Sequence, residues 1–216
     1  MEKQTLTGRL SRSSLEAFRE ILDVYVPLVS RTSYRIMCDR ADSEFITVSV
    51  MLSMWNDRMS FRDDMPLMQE LLRRTCRACR RRLFRRRILM LMSIDPDVFV
   101  AASPVVPSYD EYIARQAWQI YCRASADFSD RQRFAYTLCE LGGLSLASAA
   151  EVSGFRASNL HAALAEARAA VKEGLAMYGR IGDYEAYVGF LRRVKDQLTD
   201  KVGLKRRIMG YVSVAE

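Results

Sequence analysis

The residues best suited to chemistry lie in one short stretch, CRACRRRLFRRR, which runs from Cys76 to Arg87. Its Cys-x-x-Cys pair would suit a metal ion or redox exchange, and its arginines would suit a polyanion. A third interpretation is an ordinary solvated helix. On a helical wheel of about 100° per residue, Cys76, Cys79 and Leu83 fall within about 40° of Leu72. The two thiols are therefore predicted to be small core residues on one apolar stripe.

A metal or redox role for this pair lacks further ligands. One Cys-x-x-Cys supplies two ligands where a structural zinc ion needs four, and the single histidine, His161, lies far along the chain. A redox pair normally stands at a helix start beside a strand, whereas these thiols lie in mid-helix. We therefore expect no metal and no other cofactor. One histidine, no Gly-rich phosphate loop and no plausible carboxylate pair also make an enzyme the least favoured class.

The arginines form the opposite face of the same helix. Residues 73–87 contain nine arginines and no acid, and Arg74, Arg77, Arg81 and Arg85 point away from the apolar stripe. Like charges four residues apart cost a few tenths of a kcal/mol per pair, so a plain surface helix would normally mix signs. The pattern predicts an anionic partner. The net charge of +7 is carried mostly by arginine, which suits bidentate contact with phosphate and guanine and so favours nucleic acid; an anionic membrane surface is the other candidate.

The elements that must position these residues are predicted to be helices only. Half of the residues are hydrophobic, and ten glycines and five prolines are few breakers for 216 residues. Residues 93–108 hold three of those prolines and are predicted to be a linker. This gives an all-α fold with a first domain over 1–92, a second over 109–178 and a helical extension over 179–216. Apolar periodicity predicts helices over 14–37 (kinked or ended by Pro27), 43–55, 67–87, 109–124, 130–141, 144–153, 156–178, 183–198 and 204–212.

The extension has an apolar face of its own and a basic patch. We expect its helices to pack on the second domain; the alternative is a built-in regulatory segment. No apolar signal segment opens the sequence, and the longest apolar run is too short to span a bilayer. A cytoplasmic protein without a membrane span is expected. The residues of the apolar face are Tyr184, Val188, Leu191, Val194 and Leu198, and those of the patch are Lys205, Arg206 and Arg207.

The second domain carries a helix-turn-helix pattern. Gly154 stands where the turn needs positive φ, and Phe155 follows as a plug. The next helix has an apolar stripe at Leu160, Leu164 and Ala167. In this layout the start of the second helix enters the major groove. Its candidate contacts to bases and phosphates are Arg156, Ser158, Asn159, His161 and Arg168.

Three stretches together resemble the extracytoplasmic-function sigma factors of bacterial RNA polymerase. DRADSEFITVSVMLSMW (39–55) is similar to the family's polymerase-binding helix, and LLRRTCRACRRRLFRRR (71–87) to its minus-ten helix. FSDRQRFAYTLCELGGLSLASAAEVSGFRASNL (128–160) is similar to its "LPERQR … LEGLS … IAE … G" segment. The resemblance spans roughly residues 13–177. It implies a divergent, non-catalytic member of the family.

The resemblance implies three partners: core RNA polymerase, promoter DNA and, in addition, an anti-sigma factor. Residues implied at the polymerase are Asp42, Glu44, Phe45, Val48, Ser49 and Trp55. Residues implied at the minus-ten element are Arg73, Arg74, Arg77, Arg80, Arg81 and Arg85, with Phe84 nearby for stacking or packing. The helix-turn-helix would read the minus-thirty-five element.

The contact chemistry departs from the family at three places. Phe45, Val48 and Ser49 stand where an acid and a Gln-acid pair are usual, so a polar docking face is more apolar here. Ala78 and Arg82 replace an Asn and an Asp, and His161 and Ala163 replace a Lys and an Arg. A second hypothesis follows: a sigma-like DNA-binding regulator or interaction module that has lost initiation.

Overall fold

The structure is a computed structural model that describes residues 8, 10, 14–61, 66–91, 109–178, 183–193 and 201–214. Every regular element in that part of the chain is helical, which confirms the all-α fold. The predicted linker, 93–108, lies outside the described residues. The helices are α1 (Leu15–Met37), α2 (Arg40–Asn56), α3 (Leu67–Leu91), α4 (Tyr109–Ala124), α5 (Asp130–Ala135, continued as a π-helical turn over Tyr136–Leu141), α6 (Leu146–Ser153), α7 (Ala157–Tyr178), α8 (Tyr184–Arg193) and α9 (Lys201–Val214).

Helix α1 runs through Pro27, so the expectation that this proline could end the helix was wrong. A proline inside a helix removes one hydrogen bond and costs about 3 kcal/mol. Buried side chains on both sides of it, Leu22, Val26 and Val29 among them, outweigh that cost. The start of the helix follows the prediction, because the Ser14 hydroxyl accepts a hydrogen bond from the amide of Ala17 at 3.2 Å.

Helices α1 and α2 pack closely through small polar residues. The hydroxyls of Ser33 and Ser43 are 2.9 Å apart, and Ser43 also donates to the Ser30 carbonyl at 3.1 Å. These serines are buried, so each hydroxyl needs its partner. Helix α2 begins three residues before its predicted start because Asp39 caps it, accepting from the Asp42 amide at 2.8 Å.

The chain divides into two compact units. Met1–Cys79, Glu151–Gly154 and Asp196–Glu216 form the first, and Arg80–Ala150 and Phe155–Lys195 form the second. Helix α3 is continuous and contributes its first part to one unit and the remainder to the other. The predicted domain boundaries at 92, 108 and 178 remain a prediction.

The second unit has its core where α4 and α5 both pack on α7. The rings of Tyr121 and Tyr136 stack with centroids 5.5 Å apart, and Phe134 meets Phe155 edge-on at 5.6 Å. Gly154 has φ +74°, as the turn before α7 was predicted to require. The apolar stripe of α7 is buried at Leu160 and along the residues that follow it at helical spacing, Leu164, Ala167 and Val171.

The two tail helices differ in where they pack. Helix α8 lies against α4 and the π-helical turn, and Tyr187 donates to the Ala117 carbonyl at 3.0 Å. Helix α9 instead packs on α2 and α1 of the first unit, so the expectation that it packs on the second domain was wrong. Val194 and Leu198 lie outside the described residues. None of the described helices is long and apolar enough to cross a membrane.

Candidate nucleic-acid interface

The apolar face of α3 is part of a core. Cys76 and Cys79 are fully buried, as predicted, whereas Leu83 is only partly buried. Burial, with Cys76 as a neighbour, raises the pKa of the Cys79 thiol well above its usual range. A thiol in this state is a poor nucleophile and a poor metal ligand. In the described part of the chain, no group of three or more His, Cys, Asp or Glu side chains is placed to hold a metal ion.

The first two arginines of the charged face are held by acids. Arg74 donates to Glu70 at 2.9 Å and to Asp57 at 2.7 Å, and Arg73 donates to the other Glu70 oxygen at 2.7 Å. The guanidinium of Arg74 also lies over the Phe61 ring, 5.3 Å from its centroid. Its side chain is only 16% exposed. The sequence-based expectation that Arg74 lies open on the surface was therefore wrong.

Glu70 accepts hydrogen bonds from both arginines. We call the cluster of Glu70, Arg73, Arg74 and Asp57 the clamp. Burial alone would raise the pKa of its carboxyl group, but hydrogen bonds and charge from Arg74 and Arg73 lower the pKa below its usual value. The acid precedes the arginine run by one turn, so a count of acids within residues 73–87 misses it. A search for carboxylates three and four residues before each arginine would have found it.

Two later arginines also have contacts inside the second unit. The Arg80 guanidinium lies over the Phe155 ring, 4.8 Å from its centroid. Arg87 forms an ion pair with Asp130 at 2.5 Å. Both side chains remain exposed, so such contacts hold them weakly.

The arginines that stay open form a row along one face of α3. Arg77, Arg81 and Arg85 are exposed and follow one another at four-residue steps, about 6 Å apart along the helix axis. Among the described residues, no acidic side chain pairs with any of the three. Their repulsion is uncompensated within the helix, so an anion placed along this face would be stabilised by all three. We call these three residues the open arginine row.

The start of α7 presents the residues predicted for the minus-thirty-five element. Arg156, Ser158 and His161 are exposed, and Asn159 is half-buried. The positive end of the helix dipole and these donors favour an anion at this end. Ala163, one of the two α7 positions at which the sequence departs from the family it resembles, is buried, because that position faces the core side of α7.

Arg168 is engaged within its own unit. It donates to the buried carboxylate of Glu140 at 2.8 Å through Nε, and its Nη2 lies 2.6 Å from the same oxygen. Partial burial would lower the pKa of Arg168, but the hydrogen bond and charge of Glu140 raise it. Arg192 donates to the Glu140 carbonyl at 2.8 Å, so Glu140 ties α7 and α8 together. The pairing of Arg168 with Glu140, 28 residues away, could not be predicted from periodicity.

The residues implied at the polymerase divide into surface and core. Phe45 is 55% exposed, and Glu44 and Ser49 are partly exposed. The other three are buried: Asp42, Val48 and Trp55. The Trp55 ring packs on Phe18, with centroids 4.9 Å apart, so it supports the unit from inside. The roles of all six residues remain predictions.

Comparison with known proteins gives the fold. No protein-family model matches the chain, and no curated protein matches it in sequence. The sigma factor RpoE, solved in complex with the anti-sigma factor NepR from Bartonella quintana, matches with a TM-score of 0.59 and 20% identity over 75% of this chain and 98% of that one. CnrH, solved in complex with the cytosolic domain of CnrY, matches with a TM-score of 0.57 and 16% identity over 80% of this chain and 96% of that one.

Of these two solved structures, RpoE is a sigma factor. The present chain has their fold, so the fold implied by the resemblance of residues 39–55, 71–87 and 128–160 is confirmed. At 16–20% identity the match establishes architecture and leaves the contacts of individual residues to be proposed.

The two kinds of arginine on α3 should respond differently to removal. We expect Arg74→Ala to lower the free energy of unfolding by about 1–2 kcal/mol, because it breaks charged hydrogen bonds to Glu70 and Asp57. Arg81→Ala, the matched control in the open arginine row, should change it by less than about 0.5 kcal/mol. Urea unfolding of the full chain measures both. Equal losses of unfolding free energy in Arg74→Ala and Arg81→Ala would show that the ion pairs of Arg74 contribute nothing specific to stability.

Stability should also depend on pH through Glu70. Its pKa is lower in the folded than in the unfolded chain, so its contribution is present above the unfolded value, near 4.5, and is lost as pH falls through the lower folded value. Glu70→Gln should therefore be less stable than wild type at pH 7 and should lose less on acidification below 4.5. Thermal unfolding over this pH range is the measurement. Parallel curves for the two chains would contradict the clamp.

Proposed function

We propose that this chain is a sigma factor of the extracytoplasmic-function type, which binds core RNA polymerase and directs it to promoters. The observation that carries the proposal is the open arginine row on the minus-ten-like helix of a sigma-factor fold. A helix on which three successive arginines of one face have no acidic partner in the described part of the chain is suited to an extended polyanion.

The proposed minus-ten contact is made by α3. Arg77, Arg81 and Arg85 would bind successive phosphates, and Arg80 has the same exposure beside them. Phe84, 62% exposed on the same helix, is available to stack on an unstacked base. Arg73 and Arg74 would act mainly by keeping α3 in place, because their guanidinium groups are already bound to acids.

The proposed minus-thirty-five contact is made by the start of α7. Arg156, Ser158, Asn159 and His161 would meet bases and phosphates in the major groove. This surface carries one permanent positive charge among the four, so its contribution to DNA affinity is smaller than that of α3. Arg168 stays with Glu140 and is assigned a supporting role.

Core polymerase would dock on α2, where Glu44, Phe45 and Ser49 reach the surface. In this proposal residues 1–92 form the polymerase and minus-ten domain and 109–178 the minus-thirty-five domain. The matched structures were solved with an anti-sigma factor, NepR, and with the cytosolic domain of CnrY. An anti-sigma partner and a cytoplasmic location are part of the proposal for this chain too.

A second candidate function is a sigma-like regulator or interaction module that binds DNA or a partner without initiating transcription. The observation that favours it is the apolar substitution on α2, where Phe45 is exposed and Val48 is buried in place of the usual polar groups. Both candidates use the open arginine row, so DNA affinity alone does not separate them.

Salt dependence should reveal phosphate contacts by the open arginine row. In a complex of the full chain with core polymerase on forked DNA, Arg81→Ala should weaken binding and reduce the slope of log K against log salt by about one. Arg19→Ala, an exposed arginine on α1, removes the same charge elsewhere and should leave the slope unchanged. Equal slopes for both variants would remove α3 from the DNA interface.

Transcription separates the two candidate functions. The purified chain should bind core polymerase at micromolar concentration or below and support run-off transcription from a subset of genomic promoter fragments. Binding to core polymerase without any transcript would favour the regulator. Absence of core binding at micromolar protein would contradict the sigma-factor proposal.

A further inference from the structure

The last helix, α9, covers part of the first unit. Three of its apolar residues, Leu204, Ile208 and Val212, follow one another at four-residue steps and are buried, with exposures of 2%, 0% and 1%. Because α9 packs on α2 and α1, this stripe faces those two helices. A surface helix that buries a complete apolar stripe is packed against its neighbours, because these side chains would lose the free energy of apolar burial if the helix separated.

Two ion pairs add to the apolar contact between α9 and that surface. Lys205 pairs with Asp23 of α1, and Arg207 lies 3.5 Å from Glu44 of α2. The basic patch predicted in the tail is therefore opposed by acids on the helices beneath it. Arg206, between the two, is exposed.

The covered surface includes the helix assigned to polymerase docking. Glu44 is one of the residues implied at the polymerase, and Arg207 contacts it directly. Val48 lies one turn further along the same face of α2 and is buried. Val48, which stands where the family that this sequence resembles usually has a polar residue, thus lies on the helix that receives an apolar stripe from its own chain.

We propose that α9 is a built-in cover of one edge of the polymerase-docking face of α2, the edge that carries Glu44, while Phe45 and Ser49 stay at the surface, and that core polymerase binds by displacing α9. The inference rests on the proposed function, because it assigns regulation to the same surface. Displacement is feasible because α9 is a single short helix and each of its two ion pairs has one well-exposed partner: the side chains of Asp23 and Arg207 are 66% and 53% accessible. When α9 is docked in most free chains, the apparent affinity for polymerase equals the affinity of the open form multiplied by the fraction of chains that is open.

Release of α9 should therefore increase polymerase affinity. Ile208→Asp places a charge in the buried stripe, and we expect the full-length variant to bind core polymerase about tenfold or more tightly than wild type. Val202→Asp makes the same kind of change at a position of α9 that is 67% exposed, and should bind as wild type does. Affinity is measured by titrating labelled core polymerase.

A second pair of variants tests the same contact without a buried charge, because the charge in Ile208→Asp could cause misfolding. Arg207→Glu breaks the ion pair with Glu44 without entering the apolar stripe, and should raise affinity in the same direction by a smaller factor. Arg206→Glu is its matched control, with the same charge reversal one residue away. Equal affinity of all four variants and wild type would overturn the cover and leave the sigma-factor proposal standing.

Trypsin cleavage of the same chains without polymerase keeps the two proposals apart. Trypsin should cut after Lys205, Arg206 and Arg207 faster in Ile208→Asp than in Val202→Asp, because a docked helix resists proteolysis. Unchanged cleavage overturns the cover. A different outcome is faster cleavage of Ile208→Asp while no chain binds polymerase, neither wild type nor the variants that release α9. That outcome overturns the proposed function, and with it the regulatory role, but leaves the docking of α9 in place.

Discussion

The concentration of positive charge on α3 is the constraint that the rest of the site depends on. Nine arginines within residues 73–87 would repel one another along a single helix. The fold separates this charge into two parts. Cys76 and Cys79 place one face of the helix in the core, and Glu70 and Asp57 form ion pairs with the first arginines. The open arginine row remains available to an external anion. The same helix is thus structural at its start and available for binding further along.

Local pattern predicted most of the elements and little of their pairing. Apolar periodicity predicted α1, and Gly154 marked the turn before α7, because these signals act over one or two turns. The links of Arg74 to Asp57 and of Arg168 to Glu140 join residues 17 and 28 positions apart. Such pairs depend on how helices meet, which the period of one helix does not specify.

The proposed role of α9 links two features of the sequence. Helix α2 carries the buried Val48, and the tail carries an apolar stripe at Leu204, Ile208 and Val212. The structure brings the two helices together, with Arg207 beside Glu44. In the proposed mechanism, core polymerase would displace the tail helix from α2.

Amide hydrogen exchange of the full chain with and without core polymerase tests this account most directly. If polymerase takes the place of α9 on α2, amides of residues 201–214 should lose protection in the complex, while amides of residues 40–56 should keep or gain it. If α9 remains as protected in the polymerase complex as in the free chain, the surface beneath it is not the docking face, and the account is contradicted.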